Sequence, residues 1–479
     1  MRITWLFIFL KSSVYLINVN MPLIKSISGI RGTLKGDKDS SLNPDVIKNY
    51  TSSFIQHLKN INKNKPILIA VGRDGRISGK KISEIISEVS LNMGIKIIDL
   101  GYSTTPSVEV FIEQEKLDGG IMISASHNGI EWNALKLFNS KGEFISKDDF
   151  DNINNILKKK SFKHRNVNTV GKIIKNSNSI EQHIDLILSH ELINVDRIKS
   201  ANFRIVVDGI NSTGGIAVPD LLKRLNVDVI KLNCEPNGIF IHDPEPLEKN
   251  LVELSKLVVK YSADLGIAVD PDVDRLAFID EKGGYFGEEY TLVACADYVL
   301  NKNSGSTVSN LSSSKALKEL TQTNGCDYYY SAVGEVNVVE MMKSKKAVIG
   351  GEGNGGIIFP SIHYGRDALI GIGLFLSHLV EKKCSVSNLR KQYPSYYMAK
   401  KKIDITNASF EKIFQFLKNE YSECEIIEID GLKIVFNDSS WVHLRKSNTE
   451  EIIRIYSEAE DILKANLIAD RVISLVNSL

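Results

Sequence analysis

Gly119-Gly-Ile-Met-Ile-Ser-Ala-Ser-His-Asn-Gly-Ile-Glu-Trp-Asn-Ala-Leu-Lys-Leu137 sets the frame for this chain of 479 residues. Its apolar run, Ile121 to Ile123, is of the kind that makes a buried strand. The run then breaks into small and polar residues, Ser124-Ala-Ser-His-Asn-Gly129. A hydroxyl carried on a loop at the end of a buried strand is how α/β enzymes present a nucleophile to a cleft. Asn128-Gly129 is equally a good ordinary turn, and a Ser-His adjacency says little because triads assemble in space. What separates the two readings is whether the rest of the chain supplies a metal site and anion-binding loops.

Upstream, Pro66 to Val71 reads as a strand and Gly72-Arg-Asp-Gly-Arg-Ile-Ser-Gly79 as a loop entering a helix that runs through Met93. A strand from Ile95 to Leu100 and a helix from Pro106 to Glu113 follow. This alternation predicts a parallel α/β sheet with right-handed crossovers. Arg73, Asp74 and Arg76 read as a loop-fixing charge cluster of the surface ion-pair type. Earlier still, Ser28-Gly-Ile-Arg-Gly-Thr33 lets backbone N–H groups and the Arg31 guanidinium approach an anion together. Downstream, Lys136 alone would be taken for a solvated lysine.

A Lys- and Asn-rich stretch, 161–179, reads as a surface connection into a second unit. There, strands Phe203 to Val207 and Val227 to Leu232 flank a Gly-rich loop and a helix through Leu225. A helix through Tyr261 leads into Leu265-Gly-Ile-Ala-Val-Asp-Pro-Asp-Val-Asp-Arg-Leu276. Asp270, Asp272 and Asp274 alternate, so in extended backbone the three carboxylates emerge on one side. Converging carboxylates repel unless a hard cation sits between them, and oxygen ligands favour Mg²⁺ or Ca²⁺. An EF-hand is excluded: Arg275 stands where that loop needs glycine, and the segment follows a strand.

In the third unit, strands Thr307 to Leu311 and Asp327 to Val333 alternate with helices Ser313 to Thr323 and Val336 to Lys343. Ala347 to Ile349 then runs into Gly350-Gly-Glu-Gly-Asn-Gly-Gly356, glycines around one carboxylate and one amide that suit close approach to a hydroxylated ligand. Arg366-Asp367 opens the last helix of the unit. The final stretch is α+β: a helix from Phe410 to Leu417, strands Glu425 to Ile429, Leu432 to Phe436 and Trp441 to Leu444, and an amphipathic helix from Ala459 to Val476. Between the last strand and helix, Arg445-Lys-Ser-Asn-Thr-Glu450 offers an arginine, hydroxyls and an amide to phosphate oxygens.

Composition narrows the function classes. Lys+Arg 59 against Asp+Glu 58 leaves no basic excess for nucleic acid. Five scattered cysteines without a Cys-x-x-Cys pair fit a reducing cytoplasm and argue against a disulfide framework or structural zinc. Residues 1–20 hold an apolar run too short and interrupted for a membrane span, and no A-x-A-like cleavage site follows it. The expectation is an upstream start codon, with these residues outside the fold.

The loop around Ser126 resembles the phosphoserine loop of the α-D-phosphohexomutases, close to Thr/Ser-Ala-Ser-His-Asn-Pro, with Gly129 at the proline. The acidic turn is similar to the family's Asp-Gly-Asp-x-Asp-Arg, with Pro271 at the glycine. The glycine loop is similar to Gly-Glu-x-Ser-Gly-His: Glu352 matches, Asn354 takes the serine's place and Gly356 the histidine's. Arg445, Ser447, Asn448 and Thr449 match the C-terminal phosphate loop, with Glu451 where proline is usual. The four motifs fall in family order from Met21 to the C-terminus.

The resemblance implies three tandem mixed α/β/α domains plus a C-terminal α+β domain around a central cleft, with boundaries expected at 21–165, 178–285, 286–395 and 396–479. It implies interconversion of hexose 6- and 1-phosphates through phospho-Ser126 and a hexose 1,6-bisphosphate. Mg²⁺ would be held by Ser126, Asp270, Asp272 and Asp274. Arg31 and Arg275 would stabilise the transferring phosphoryl group, and Lys136 and His127 would manage the hydroxyl proton. Glu352 and Asn354 would bind sugar, and Arg445, Ser447, Asn448 and Thr449 the substrate's own phosphate. The partner is then a phosphosugar, with neither nucleic acid nor membrane involved, and a homodimer is compatible with this reading. The start Met-Pro-Leu-Ile-Lys-Ser-Ile-Ser-Gly-Ile-Arg-Gly-Thr and the loop Ser-His-Asn-x-x-x-Trp-Asn-Ala-Leu-Lys resemble the bacterial phosphoglucosamine mutase branch, with mannose or glucose phosphate as the alternative substrate. A phosphatase would need no second phosphate loop, and a non-catalytic sensor would be expected to lose Ser126 or an aspartate.

Overall fold

The computed structural model describes residues 23–37, 40–63, 65–162, 171–404, 409–446 and 452–479. The expectations for residues 1–20 and for Ser447, Asn448 and Thr449 lie outside the described residues. Four sheets follow one another along the chain, three of mixed direction with helices packed on them and a last antiparallel one. No helix among the described residues is long and apolar enough to cross a membrane.

The first sheet has the order Ile24–Ser26, Gly29–Thr33, Trp132–Phe138, Gly119–Ile123, Leu68–Arg73, Lys96–Tyr102, Lys172–Lys175. Its last four strands are parallel, among them the three expected from the alternation, and the first three run antiparallel, which makes the sheet mixed. The loop after Ile123 reverses the chain, so Trp132–Phe138 returns beside the strand it came from. Alternate residues feed two cores. Ile69, Val71, Ile121 and Ile123 pack with the helices Pro44–Ile61 and Gly79–Asn92, whereas Ala70 and Met122 pack with Thr105–Gln114. Period-two alternation with both faces covered is why these strands read as near-continuous apolar runs.

The second sheet, in the order Leu276–Asp280, Leu265–Val269, Arg204–Asp208, Asp228–Leu232, ends in an antiparallel pair whose connecting turn carries the three aspartates. The third sheet closes on the pair Ile349–Glu352 and Gly356–Ile358. These two sheets share one core, and Ala368–Lys382 runs through it, buried continuously from Ala368 to Leu379. Asp367 caps that helix, accepting from the backbone N–H groups of Leu369 and Ile370. Its other oxygen lies 3.0 Å from His183 Nε2 and 3.4 Å from His363 Nε2, and His363 Nδ1 lies 3.4 Å from Glu109. One buried charge network thus ties the first three units together.

The C-terminal sheet, Tyr397–Asp404, Ile452–Ala459, Trp441–Lys446, Leu432–Val435, Glu425–Ile427, is antiparallel throughout. The helix expected from Ala459 starts instead at Ile462, where Asp461 caps it by accepting from the Lys464 N–H, and Ala459 ends a strand. This sheet docks on the third unit through polar contacts. Lys433 Nζ donates to Leu311 O, the Lys315 N–H donates to Glu458, and Ser312 Oγ lies 2.9 Å from His443 Nδ1.

His443 gives this interface a pH dependence. Burial, with Lys433 and Arg445 nearby, pushes its imidazole down to about 4 against the opposing pull of Asp430. Between that value and about 6.5 the unfolded chain binds the extra proton, so stability rises with pH there and is lost as pH falls from about 6.5 to about 4. The loss at pH 5 is about 2 kcal/mol. The thermal midpoint of the protein is therefore expected to fall further between pH 7 and pH 5 than that of His443→Asn, and equal falls would contradict this origin.

Candidate functional site

Ser126 sits on the turn that follows Gly119–Ile123, with φ of +50° and 2 % of its surface exposed. A left-handed serine costs about 1–3 kcal/mol and persists only where its surroundings over-determine it. The chain supplies that constraint in Arg76, whose guanidinium donates to the carbonyls of Ser126, Asn128, Gly129 and Trp132. Asp74 in turn accepts from Arg76 Nε at 3.0 Å, and both side chains are buried. The charge cluster expected on the surface therefore lies inside and holds the serine loop in shape. Only Arg73 departs from it, stacking 3.9 Å over Tyr102.

The aspartates do not sit on extended backbone as expected. The segment after Val269 turns tightly, with Val273 at φ +65° and its N–H donating to Asp270 O. Such a φ is unfavourable for a β-branched residue, and here the turn wraps the carboxylates around one point. Ser212 Oγ and Thr213 Oγ1 anchor it by donating to Pro271 O. Asp270 accepts the Asp274 and Arg275 N–H groups on one oxygen and Ser126 Oγ, at 2.6 Å, on the other. Asp272 accepts from Lys136 Nζ at 2.6 Å and from Thr105 Oγ1. Asp274 accepts from Lys136 Nζ at 3.0 Å and from Arg366 at 2.9 Å.

Lys136 is thus not a solvated lysine. It is 2 % exposed on Trp132–Phe138, and Asp272 and Asp274 raise its ammonium pKa against the effect of burial. Burial, with Asp274 and Asp272 beside it, pushes Asp270 well above the usual carboxylate range. For Asp274 burial acts in the same sense, but Arg366, Lys136 and Arg275 outweigh it and hold the carboxyl far below that range. The three carboxylates bring one oxygen each within 4.8 Å of the others. Asp272 Oδ1 and Asp274 Oδ1 are buried without a hydrogen-bond partner. Unpaired buried oxygens are costly, and oxygens converging beside a serine hydroxyl fit a hard divalent cation.

Around this centre stand the other expected residues. Arg31 donates to Asn128 Oδ1 and to Ala125 O, and burial brings its guanidinium down to about 10. Arg275 pairs with Glu245 at 2.6 Å. His127 Nδ1 lies 3.4 Å from Ser126 Oγ, and burial with Arg275 and Arg31 nearby keeps the ring neutral. Glu352 accepts from Asn310, the Gly334 N–H and Arg366. Asn354 Oδ1 accepts the Gly356 N–H, closing its own loop. Arg445 pairs with Asp430 at 2.8 Å. Arg31, His127, Glu245, Arg275, Glu352, Asn354, Arg366 and Arg445 border one cavity of about 430 Å³ that also touches Ser126 and Lys136.

Arg366 and Glu335 are among the site residues that escaped the sequence reading. Arg366 was visible only as a helix opener, and Glu335 fell between an expected strand and an expected helix; each finds its partners through contacts distant in sequence. Arg454 and Tyr456 also border the cavity, from a strand that had not been recognised.

The fold thus sets a serine at a strand end beside an acidic turn, in a cleft between mixed sheets and an antiparallel C-terminal domain. Phosphoglucomutase/phosphomannomutase profiles match the chain as alpha/beta/alpha domain I at residues 23–164, domain II at 181–284, domain III at 287–397 and the C-terminal domain at 383–475. The chain belongs to the phosphoglucomutase/phosphomannomutase family of isomerases. It is 32% identical over 437 residues to a phosphoglucomutase/phosphomannomutase of Thermococcus kodakarensis, covering 90% of this chain and 94% of the relative. A probable phosphoglucosamine mutase of Methanosphaera stadtmanae is 31% identical over 447 residues, covering 92% and 95%. Among solved structures, a phosphoglucomutase/phosphomannomutase family protein of Burkholderia thailandensis superposes with a TM-score of 0.81 at 21% identity, covering 95% and 98%, and so shares the fold.

Proposed function

We propose that the chain interconverts glucosamine 6-phosphate and glucosamine 1-phosphate, with Ser126 as phosphoryl carrier and a sugar 1,6-bisphosphate as intermediate. The observation that carries this reading is the contact of Ser126 Oγ with Asp270, in the cavity that Arg445 borders from the C-terminal domain. Two phosphate sites in one cleft suit a sugar that carries a phosphate at each end in turn. In each half-reaction the bond between phosphorus and one oxygen breaks as that to another forms, between Ser126 Oγ and a sugar hydroxyl oxygen.

Such transfers depend on positioning and charge neutralisation. Arg31 and Arg275 would neutralise the phosphoryl oxygens, and neutral His127, near Ser126 Oγ, is suited to take the hydroxyl proton. Lys136 would keep Asp272 and Asp274 in place and, with His127, pass the proton released by the attacking hydroxyl on to the departing oxygen. Mg²⁺, held by Ser126, Asp270, Asp272 and Asp274, would supply Lewis-acid neutralisation of the phosphoryl group. Glu352 and Asn354 would meet sugar hydroxyls. Arg445, with Ser447, Asn448 and Thr449, would hold the remote phosphate.

The amino sugar is favoured because proteins named probable phosphoglucosamine mutase match most of the chain; the cavity itself is lined by Glu245, Glu289, Glu335 and Glu352 among seven Arg and Lys side chains. These carboxylates are the groups that would meet an ammonium at the sugar's C2, which glucose and mannose lack. The second reading, a phosphoglucomutase/phosphomannomutase, draws on Arg275 and Arg366, which pair with three of these carboxylates. Turnover on the 1-phosphates of glucosamine, glucose and mannose separates the two. Preference for glucosamine by about tenfold or more is expected from one favourable charged contact; an equal or reversed ratio ends the choice.

A further inference from the structure

The sugar loop departs from its family pattern at Gly356, and the structure gives a reason. Gly356 lies opposite Glu352 in an antiparallel pair, and its backbone is not in the left-handed region, so conformation does not demand glycine. Space does. A Cβ at 356 would stand 2.3 Å from Arg366 Cδ and 3.0 Å from its Cγ.

Arg366 cannot easily yield, because its guanidinium is tied at three points. Nε donates to Glu335 at 3.0 Å, Nη1 to Glu352 at 3.1 Å and Nη2 to Asp274 at 2.9 Å, while its backbone N–H donates to Glu335 as well. One planar fork thus joins the sugar loop to the acidic turn and to the start of the helix Glu335–Lys345. A lysine, with a point charge, cannot reproduce three divergent hydrogen bonds.

We propose that Arg366 is the residue that positions Glu352 for the sugar, filling the volume a side chain at 356 would need, so that an arginine here and a histidine at 356 exclude each other. The inference rests on reading Glu352 as a sugar contact. Asn310 Nδ2 and the Gly334 N–H already occupy the other Glu352 oxygen, at 2.9 and 3.0 Å. A carboxylate accepts at about four lone-pair sites. Arg366 therefore takes the third and fixes the direction in which the last faces a hydroxyl.

The test is equilibrium binding of glucose 1,6-bisphosphate to Ser126→Ala protein in magnesium-free buffer, which separates the sugar loop from transfer chemistry and from metal binding at the acidic turn. In that background Arg366→Lys and Gly356→His are each expected to weaken binding by about tenfold or more, the usual size of a lost charge-assisted bond. The pair Gly356→His with Arg366→Gly is expected to bind more tightly than Gly356→His alone. Thermal unfolding identifies folded variants, since a merely structural role would lower the midpoint and leave the affinity of folded protein unchanged. Binding within about twofold of the parent for Arg366→Lys, or strictly additive losses in the pair, overturns the proposal. Absence of turnover in the unsubstituted protein would sink the mutase reading alone, because the binding comparison stands without it. If the parent does not bind the bisphosphate, the inference falls as well.

Discussion

Ser126→Ala is expected to abolish mutase turnover, lowering kcat by about 10⁴-fold or more, as losses of a covalent nucleophile do. The fold should survive. The backbone bonds that shape the turn do not involve Oγ: the Ser126 N–H donates to Ser124 Oγ, and its carbonyl accepts from Arg76. Asp270 loses one donor but keeps the N–H groups of Asp274 and Arg275. A thermal midpoint close to that of the parent, with no detectable turnover, is the expected pair of results. Retention of more than about 1 % of kcat would mean that another group carries the phosphoryl chain of events.

Asp274→Ala has the second largest effect and shows itself in stability as well as rate. Asp274 is buried, and its Oδ2 takes hydrogen bonds from both Lys136 and Arg366. Removing one partner of a buried ion pair leaves an uncompensated charge and costs about 3–5 kcal/mol. Here two cations lose the same partner, although Asp272 still holds Lys136 and Glu335 and Glu352 still hold Arg366. Denaturant unfolding should therefore register a loss in that range, together with a fall in kcat of about 10²-fold or more. Asp228→Ala, which breaks the exposed pair with Arg204, is the comparison and should change little. Equal stability changes in the two variants would mean that the acidic turn is not the charge-coupled unit described above.

Much of this was readable in the chain, for physical reasons. Ile121 to Ile123 gave a buried strand because period-two burial on both faces leaves an apolar run, and the serine had to follow where it ends. Asp270, Asp272 and Asp274 announced convergent oxygens through spacing alone, although a tight turn at Val273, not extended backbone, brings them together. What stayed hidden depends on partners far along the chain. Lys136 looks solvated until Asp272 and Asp274 arrive 136 and 138 residues later. Arg76 looks like a surface charge until four carbonyls some 50 residues on fold over it. Tyr397–Asp404 was passed over because Lys400, Lys401 and Lys402 interrupt its alternation. Such lysines are what an edge strand uses to discourage pairing with another chain.

The central claim is that Ser126 carries the phosphoryl group. Peptide mass spectrometry of the 119–137 segment, after incubation of the purified protein with glucose 1,6-bisphosphate and Mg²⁺, tests it directly. The account predicts one phosphoryl group on Ser126 that a hexose 1- or 6-phosphate then removes. An unmodified Ser126 in protein that turns over, or a phosphoryl group on a different side chain, would contradict it.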